Sequence, residues 1–182
     1  MSRGVTDGIE RVVLMGYMCS GKSTVGESLA RRLDWDFVDF DVEIERRQRR
    51  TISEIIMSDG EGFFRDLEAD LTREVAEGAR LVVAPGGGWI KNPELLEAIR
   101  PGTLSAWLRV SPGETVRRLL EDSLDRPLKD HPDPIGPVTG MLEEREGLYR
   151  LADLTIPADH RSAEDIGFEL EATVRMRNGA YR

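Results

Sequence analysis

Near the amino terminus, Gly16-Tyr17-Met18-Cys19-Ser20-Gly21-Lys22-Ser23-Thr24 fits the pattern G-x-x-x-x-G-K-[ST]. Glycines let the backbone curl so that successive N–H groups converge on one anion, and a helix N-terminus behind them adds favourable partial charge. In that setting Lys22 reaches the β- and γ-phosphates of a nucleotide and Ser23 ligates Mg²⁺. The flanks agree. Residues 9–15 read as a short buried strand, and Val25, Leu29 and Leu33 recur at four-residue steps, as on an amphipathic helix.

Other residues can do chemistry only in company. Asp39 and Asp41 are two apart at the end of a predicted strand, so at strand spacing they share a face and Phe40 takes the other. Ser23 with Asp39 would suffice for Mg²⁺, which keeps several waters. Asp41 is then left to hold a substrate hydroxyl or accept its proton; a helix-capping or surface role is the bland alternative for the pair. Arg65 and Glu68 are helical neighbours, either a pre-aligned fork for a carboxylate or a surface ion pair. Pro85-Gly86-Gly87-Gly88 can offer backbone N–H groups to a ligand or make a tight turn. Arg126 stands in a Pro-rich stretch, where a lid arginine would close on a transferring phosphoryl group and an ordinary one would be solvated. Arg145 and Tyr149, four apart, would alone be a packing pair.

The elements that must position these groups alternate. Strands are predicted over residues 9–15, 36–41, 81–84, 103–110 and 154–156. Helices are predicted after the phosphate loop and over 42–49, 52–56, 61–77, about 93–100, 112–121, 138–152 and from Ser162. The helix over 61–77 is expected to bury Phe63, Leu67, Leu71 and Val75, and the one after Ser111 to carry Val116, Leu119 and Leu120 on its apolar side. Residues 122–137 lose apolar periodicity and hold Pro127, Pro132, Pro134 and Pro137, which reads as a mobile surface segment. The tail from Arg177 is expected to fray. Alternation implies an α/β domain with a mainly parallel sheet covered on both faces. Ligands in such sheets bind beyond the carboxyl ends of the strands, where the phosphate loop, the aspartate pair and the second glycine loop all fall.

At 182 residues one domain is expected over 1–182, with its core at 9–176. A hydrophobic content of 40% with 32% charged residues is ordinary for a globular protein, and a formal charge of −9 argues against nucleic acid as a partner. Cys19 is the only cysteine and His131 and His160 the only histidines, which excludes an internal disulfide and disfavours a Cys/His metal site. No stretch approaches the ~18 apolar residues of a membrane span, and residues 1–8 lack the apolar run of a signal peptide. The expectation is a cytoplasmic protein, monomeric and without a membrane partner.

Taken together these residues resemble the shikimate kinases, small phosphate-loop kinases of aromatic amino-acid biosynthesis. The likeness runs from about Val12 to Arg161. It rests on residues 16–24, on Asp39-x-Asp41, on Asp59-Gly60-Glu61 followed by Phe64-Arg65 and Glu68, on Gly86-Gly87-Gly88, on Arg126-Pro127-Leu128 and on Arg145 with Tyr149. The resemblance implies a five-stranded parallel sheet in the order 2-3-1-4-5 and ATP-dependent phosphorylation of the 3-hydroxyl of shikimate. It implies catalytic roles for Lys22, Asp41 and Arg126, and Mg²⁺ on Ser23 and Asp39. ATP would be held by Gly16, Ser20, Gly21, Lys22, Ser23, Thr24, Arg118, Arg126 and Arg161. Shikimate would be held by Asp41, Arg65, Gly87, Gly88 and Arg145, and residues 122–137 would form the lid. The sequence departs from the family pattern at Phe40, at Ile56, at Lys129 and in the length between Arg118 and Arg126. Two alternatives remain open at this level: a kinase of a related hydroxylated carboxylic acid, and a non-catalytic nucleotide-binding regulator of the same fold.

Overall fold

The computed structural model describes residues 8–122 and 128–179. Strands β1 (Arg11–Met15), β2 (Asp36–Asp39), β3 (Leu81–Ala84), β4 (Thr103–Arg109) and β5 (Leu154–Pro157) form one sheet in the order β2-β3-β1-β4-β5, with parallel pairing throughout. This is the expected topology. β1 lies at its centre, and Val12, Val13 and Leu14 are wholly buried, as a parallel strand covered on both faces requires. Each such side chain contributes about 1.5–3 kcal/mol of burial.

Alternation along β1 divides the core in two. Val12 and Leu14 face a cluster with Val25, Leu29 and Leu33 of α1 (Lys22–Leu33) and with Ile166, Leu170 and Val174 of α7 (Ala163–Arg177). Val13 and Met15 face the other cluster. That cluster includes Phe40 and Ile44 of α2 (Phe40–Gln48), Phe64, Leu71 and Val75 of α3 (Ile52–Glu77), and Leu95, Leu96 and Ile99 of α4 (Pro93–Ile99). α5 (Pro112–Glu121) and α6 (Ile135–Tyr149) complete the chain. Ser111 and Ser162 cap α5 and α7 by accepting from Glu114 N–H and Asp165 N–H.

Several boundaries differ from expectation, each for a local reason. β2 ends at Asp39, not at residue 41, because the Asp39 side chain caps α2, taking N–H bonds from Asp41 and Val42. Asp41 is therefore on the first turn of a helix, and strand spacing is not what orients it. The predicted helices over 52–56 and 61–77 run together as α3, broken only at Gly60, whose φ of 90° and ψ of 160° suit glycine alone. Of the predicted face, Leu71 and Val75 are buried and Leu67 packs against the core, but in the first turn after the break Phe64 enters the core and Phe63 is 39% exposed. Leu120, predicted apolar-side, is also exposed.

α6 begins at Ile135 rather than residue 138. Pro134 is its N-cap and Pro137 sits in its first turn, where a missing N–H costs nothing. A 3-10 helix, Trp89–Lys91, follows the second glycine loop and was not expected. The tail is not frayed at Asn178. Its side chain accepts from Ile9 N–H at 2.6 Å and donates to Ile9 O at 2.9 Å, which ties the end of α7 to the start of β1. Among the described residues no helix is long and apolar enough to cross a membrane.

Candidate active site

The phosphate loop leaves the central strand at Met15 and enters α1 at Lys22. Gly21 is the N-cap, at φ 91°, so the loop turns into the helix through a left-handed residue. Lys22 folds back over the loop, donating from Nζ to Gly16 O at 3.0 Å and to Tyr17 O at 3.1 Å. Ser20 is buried; its backbone N–H donates to Tyr17 O at 3.3 Å, and its side chain fills the space beside Gly16. Ser23 and Thr24 are exposed at the helix start. The loop opens on a cleft of about 1700 Å³ whose walls include Lys22, Asp39, Asp41, Gly87, Arg118 and Arg145.

The residues expected to hold Mg²⁺ meet. Ser23 Oγ donates to Asp39 Oδ2 at 2.5 Å, while Asp39 Oδ1 caps α2. One carboxylate thus caps α2 through one oxygen and meets Ser23 through the other. Two hard oxygens at the mouth of a phosphate loop, with space beside them, fit a cation that takes waters and phosphate oxygens for its remaining positions. Among the described residues no cluster of three or more acidic, His or Cys side chains offers a protein-only metal cage.

On the α5 wall of the cleft, Arg118 is gripped by Glu114, which accepts from Arg118 Nε at 2.7 Å and also pairs with Arg117. The Glu114 carboxyl is held down at about 2, chiefly by the Arg117 hydrogen bond and then by Arg118. Arg118 Nη2 donates to Ala158 O at 2.6 Å, and Nη1 lies 3.4 Å from Cys19 O and Ser20 O, so this side chain bridges the loop to the end of β5. Arg161, also on the cleft wall, pairs with Glu169.

On the opposite side two arginines from distant elements reach the second glycine loop. Arg145 of α6 donates to Gly87 O at 3.3 Å and lies 5.1 Å over the Tyr17 ring; Tyr149 donates to the same carbonyl at 3.0 Å and stacks on Trp107. Arg65 of α3 stands behind Gly88 and pairs with Glu68 at 2.6 Å and with Glu61 at 2.8 Å. Glu68 is fully buried, so this is not the exposed ion pair that spacing alone allowed. Burial pushes its carboxyl up to about 7; Arg65 opposes the shift, and the charges of Asp41 and Glu61 add to it. Sequence reasoning missed the burial of Glu68 and the platform that Tyr17 makes for Arg145. An unusual aromatic inside the phosphate loop was the available signal for the second.

Gly88 has a direct consequence. A Cβ there would lie 2.7 Å from Arg65 Nη2, so any side chain must push the guanidinium aside. Because the displaced atom ends a flexible chain, Gly88→Ala is expected to fold with nearly unchanged thermal stability yet raise the acceptor KM roughly tenfold, the cost of about one hydrogen bond to a charged group. Steady-state kinetics beside thermal unfolding checks both halves.

Arg126 lies outside the described residues, as do the neighbours with which it would form the centre of a lid. Lys129 Nζ donates to Asp122 O, linking the chain on either side of that stretch.

A sequence profile described as shikimate kinase matches residues 18–175. A shikimate kinase of Rhodopseudomonas palustris is 43% identical over 145 residues, covering 80% of this chain and 71% of that one. One from Bradyrhizobium diazoefficiens is 40% identical over 168 residues, covering 92% and 81%. Among solved structures, a shikimate kinase of Acinetobacter baumannii in complex with shikimate superposes with a TM-score of 0.83 at 30% identity, covering 96% of each chain.

Proposed function

The chain belongs to the shikimate kinase family, and from that premise we propose a division of labour for the transfer of the ATP γ-phosphoryl group to the 3-hydroxyl of shikimate, in the shikimate pathway. The observation that carries it is the convergence of Arg65 and Arg145 on Gly87 and Gly88, directly beside the backbone of the phosphate loop and in a cleft that Asp41 also lines.

Arg65 and Arg145 hold the acceptor's carboxylate, and the glycine loop admits the ring closely because it carries no side chains. Asp41 holds the 3-hydroxyl and takes its proton as that oxygen bonds to the γ-phosphorus and the bridge to the β-phosphate breaks, ADP leaving with the electron pair. Lys22 exchanges its bonds to Gly16 O and Tyr17 O for phosphate oxygens and follows the charge that moves toward the leaving group. Ser23 and Asp39 would hold Mg²⁺, which when bound with the nucleotide neutralises charge between the β- and γ-phosphates. Gly16, Ser20, Gly21 and Thr24 shape the cradle, Arg118 and Arg161 flank the base, and Arg126, outside the described residues, would bind the transferring phosphoryl group. Among the described residues every one of these groups comes from one copy of the chain, which supports a monomeric enzyme, and its need for ATP supports a cytoplasmic one.

An ADP-release assay with shikimate, quinate and gluconate tests the acceptor. Turnover confined to gluconate or quinate would sink the assignment. Arg65→Lys keeps the charge but loses the fork, and is expected to raise the shikimate KM by about tenfold or more while ATP KM stays within a few-fold. A change in ATP KM alone would put Arg65 on the wrong side of the cleft.

A further inference from the structure

Arg65 already serves two carboxylates before any acceptor arrives. Nη1 bonds Glu68 and Nη2 bonds Glu61, both carboxylates on α3 itself. A docking acceptor adds a third anion to one guanidinium. Glu61 is 62% exposed on its side chain and can swing into water. Glu68 cannot: it is fully buried, and its Oε1 has no hydrogen-bond partner among the described residues. That oxygen and Asp41 Oδ1 both lie 3.0 Å from the point a Cβ on Gly86 would take, so two carboxylates converge on one bare glycine. The charged groups acting on Glu68 are Arg65 and Glu61 from α3 and Asp41 from α2. Lys91 and Arg145 act on Glu61 from the 3-10 helix and α6.

A buried carboxylate that cannot turn away has one low-cost response to a new anion, which is to bind a proton. We propose that Glu68 takes up a proton as the acceptor's carboxylate docks on Arg65, so that acceptor binding is proton-linked and Glu68 is a positioning residue that yields the arginine fork to substrate. This deepens, and rests on, the placement of the acceptor at Arg65. The sign follows from linkage. Burial already puts Glu68 near 7, and the acceptor's charge raises it further, so uptake is small below about pH 6 and peaks above pH 7. Affinity for shikimate then falls as pH rises through that window, by at most about tenfold per pH unit.

The test is calorimetric titration of the full chain with shikimate between pH 6 and 9, in pairs of buffers with small and large ionisation enthalpy. The expected result is a buffer-dependent heat corresponding to uptake of a fraction of one proton, greatest above pH 7. Glu68→Gln should abolish both the uptake and the pH dependence of affinity. Binding with the same heat in both buffers, or uptake that persists in Glu68→Gln, overturns the proton link while leaving the acceptor site standing. No binding at any pH overturns the acceptor site and this inference with it. Should Glu68→Gln not fold, the wild-type profile decides: a bell centred above pH 7 supports Glu68, and uptake that grows toward pH 6 overturns it.

Discussion

Lys22→Ala is expected to lower kcat by about 10²–10³-fold, the loss seen when one preorganised donor to developing charge is removed. The ammonium is not an ornament on a finished loop. It spans Gly16 O and Tyr17 O, so it is held over the cradle before the nucleotide enters and needs little reorganisation to reach it. Loss of that clasp should also loosen ATP binding, since the loop's own carbonyls would turn toward the phosphates. Lys22→Arg separates the two effects: it restores a cation but not its position. Near-normal turnover in a folded Lys22→Ala protein would remove the phosphate loop from the chemistry.

Asp41→Asn is expected to cost about 10²–10⁴ in kcat, the range for loss of a positioned base, with acceptor KM changed much less. The substitution keeps shape and leaves the Asp39 cap untouched, because that cap binds the backbone N–H of residue 41 and not its side chain. Folding should therefore survive, and circular dichroism with thermal unfolding would verify it. An Asp41→Asn enzyme with kcat within threefold of wild type would mean that the hydroxyl loses its proton elsewhere.

These two residues also show what sequence can and cannot deliver. The phosphate loop is legible because its chemistry is written in consecutive residues, so Lys22 and Ser23 stand where the pattern puts them. The aspartate pair is legible by rim but not by geometry. Strand spacing placed both on one face, whereas the chain turns helical at Phe40 because Asp39 caps it, and Asp41 points into the cleft from a helix. Periodicity found Leu67, Leu71 and Val75 on the core side of α3 but chose Phe63 over Phe64 in its first turn after Gly60, where two adjacent phenylalanines leave a helical wheel no means to decide. The proline-rich stretch looked structureless to its end, but Pro134 and Pro137 occupy the helix start, where prolines do no harm. Contacts between remote elements, such as Arg65 against Gly88, have no local signature.

The strand order carries a consequence for how the molecule comes into being. β1 is the first strand to be synthesised and the one at the centre, yet its hydrogen-bonding partners are Leu81–Ala84 on one side and Thr103–Arg109 on the other. One edge of β1 waits for residues 81–84 and the other for residues 103–109. Non-local parallel pairing of this kind makes folding slow, because loop closure must precede the contacts that reward it. A nascent chain ending before β4 would carry Val12, Val13 and Leu14 uncovered along one side, so the interval before β4 emerges is when this protein is most exposed to aggregation and most in need of a chaperone.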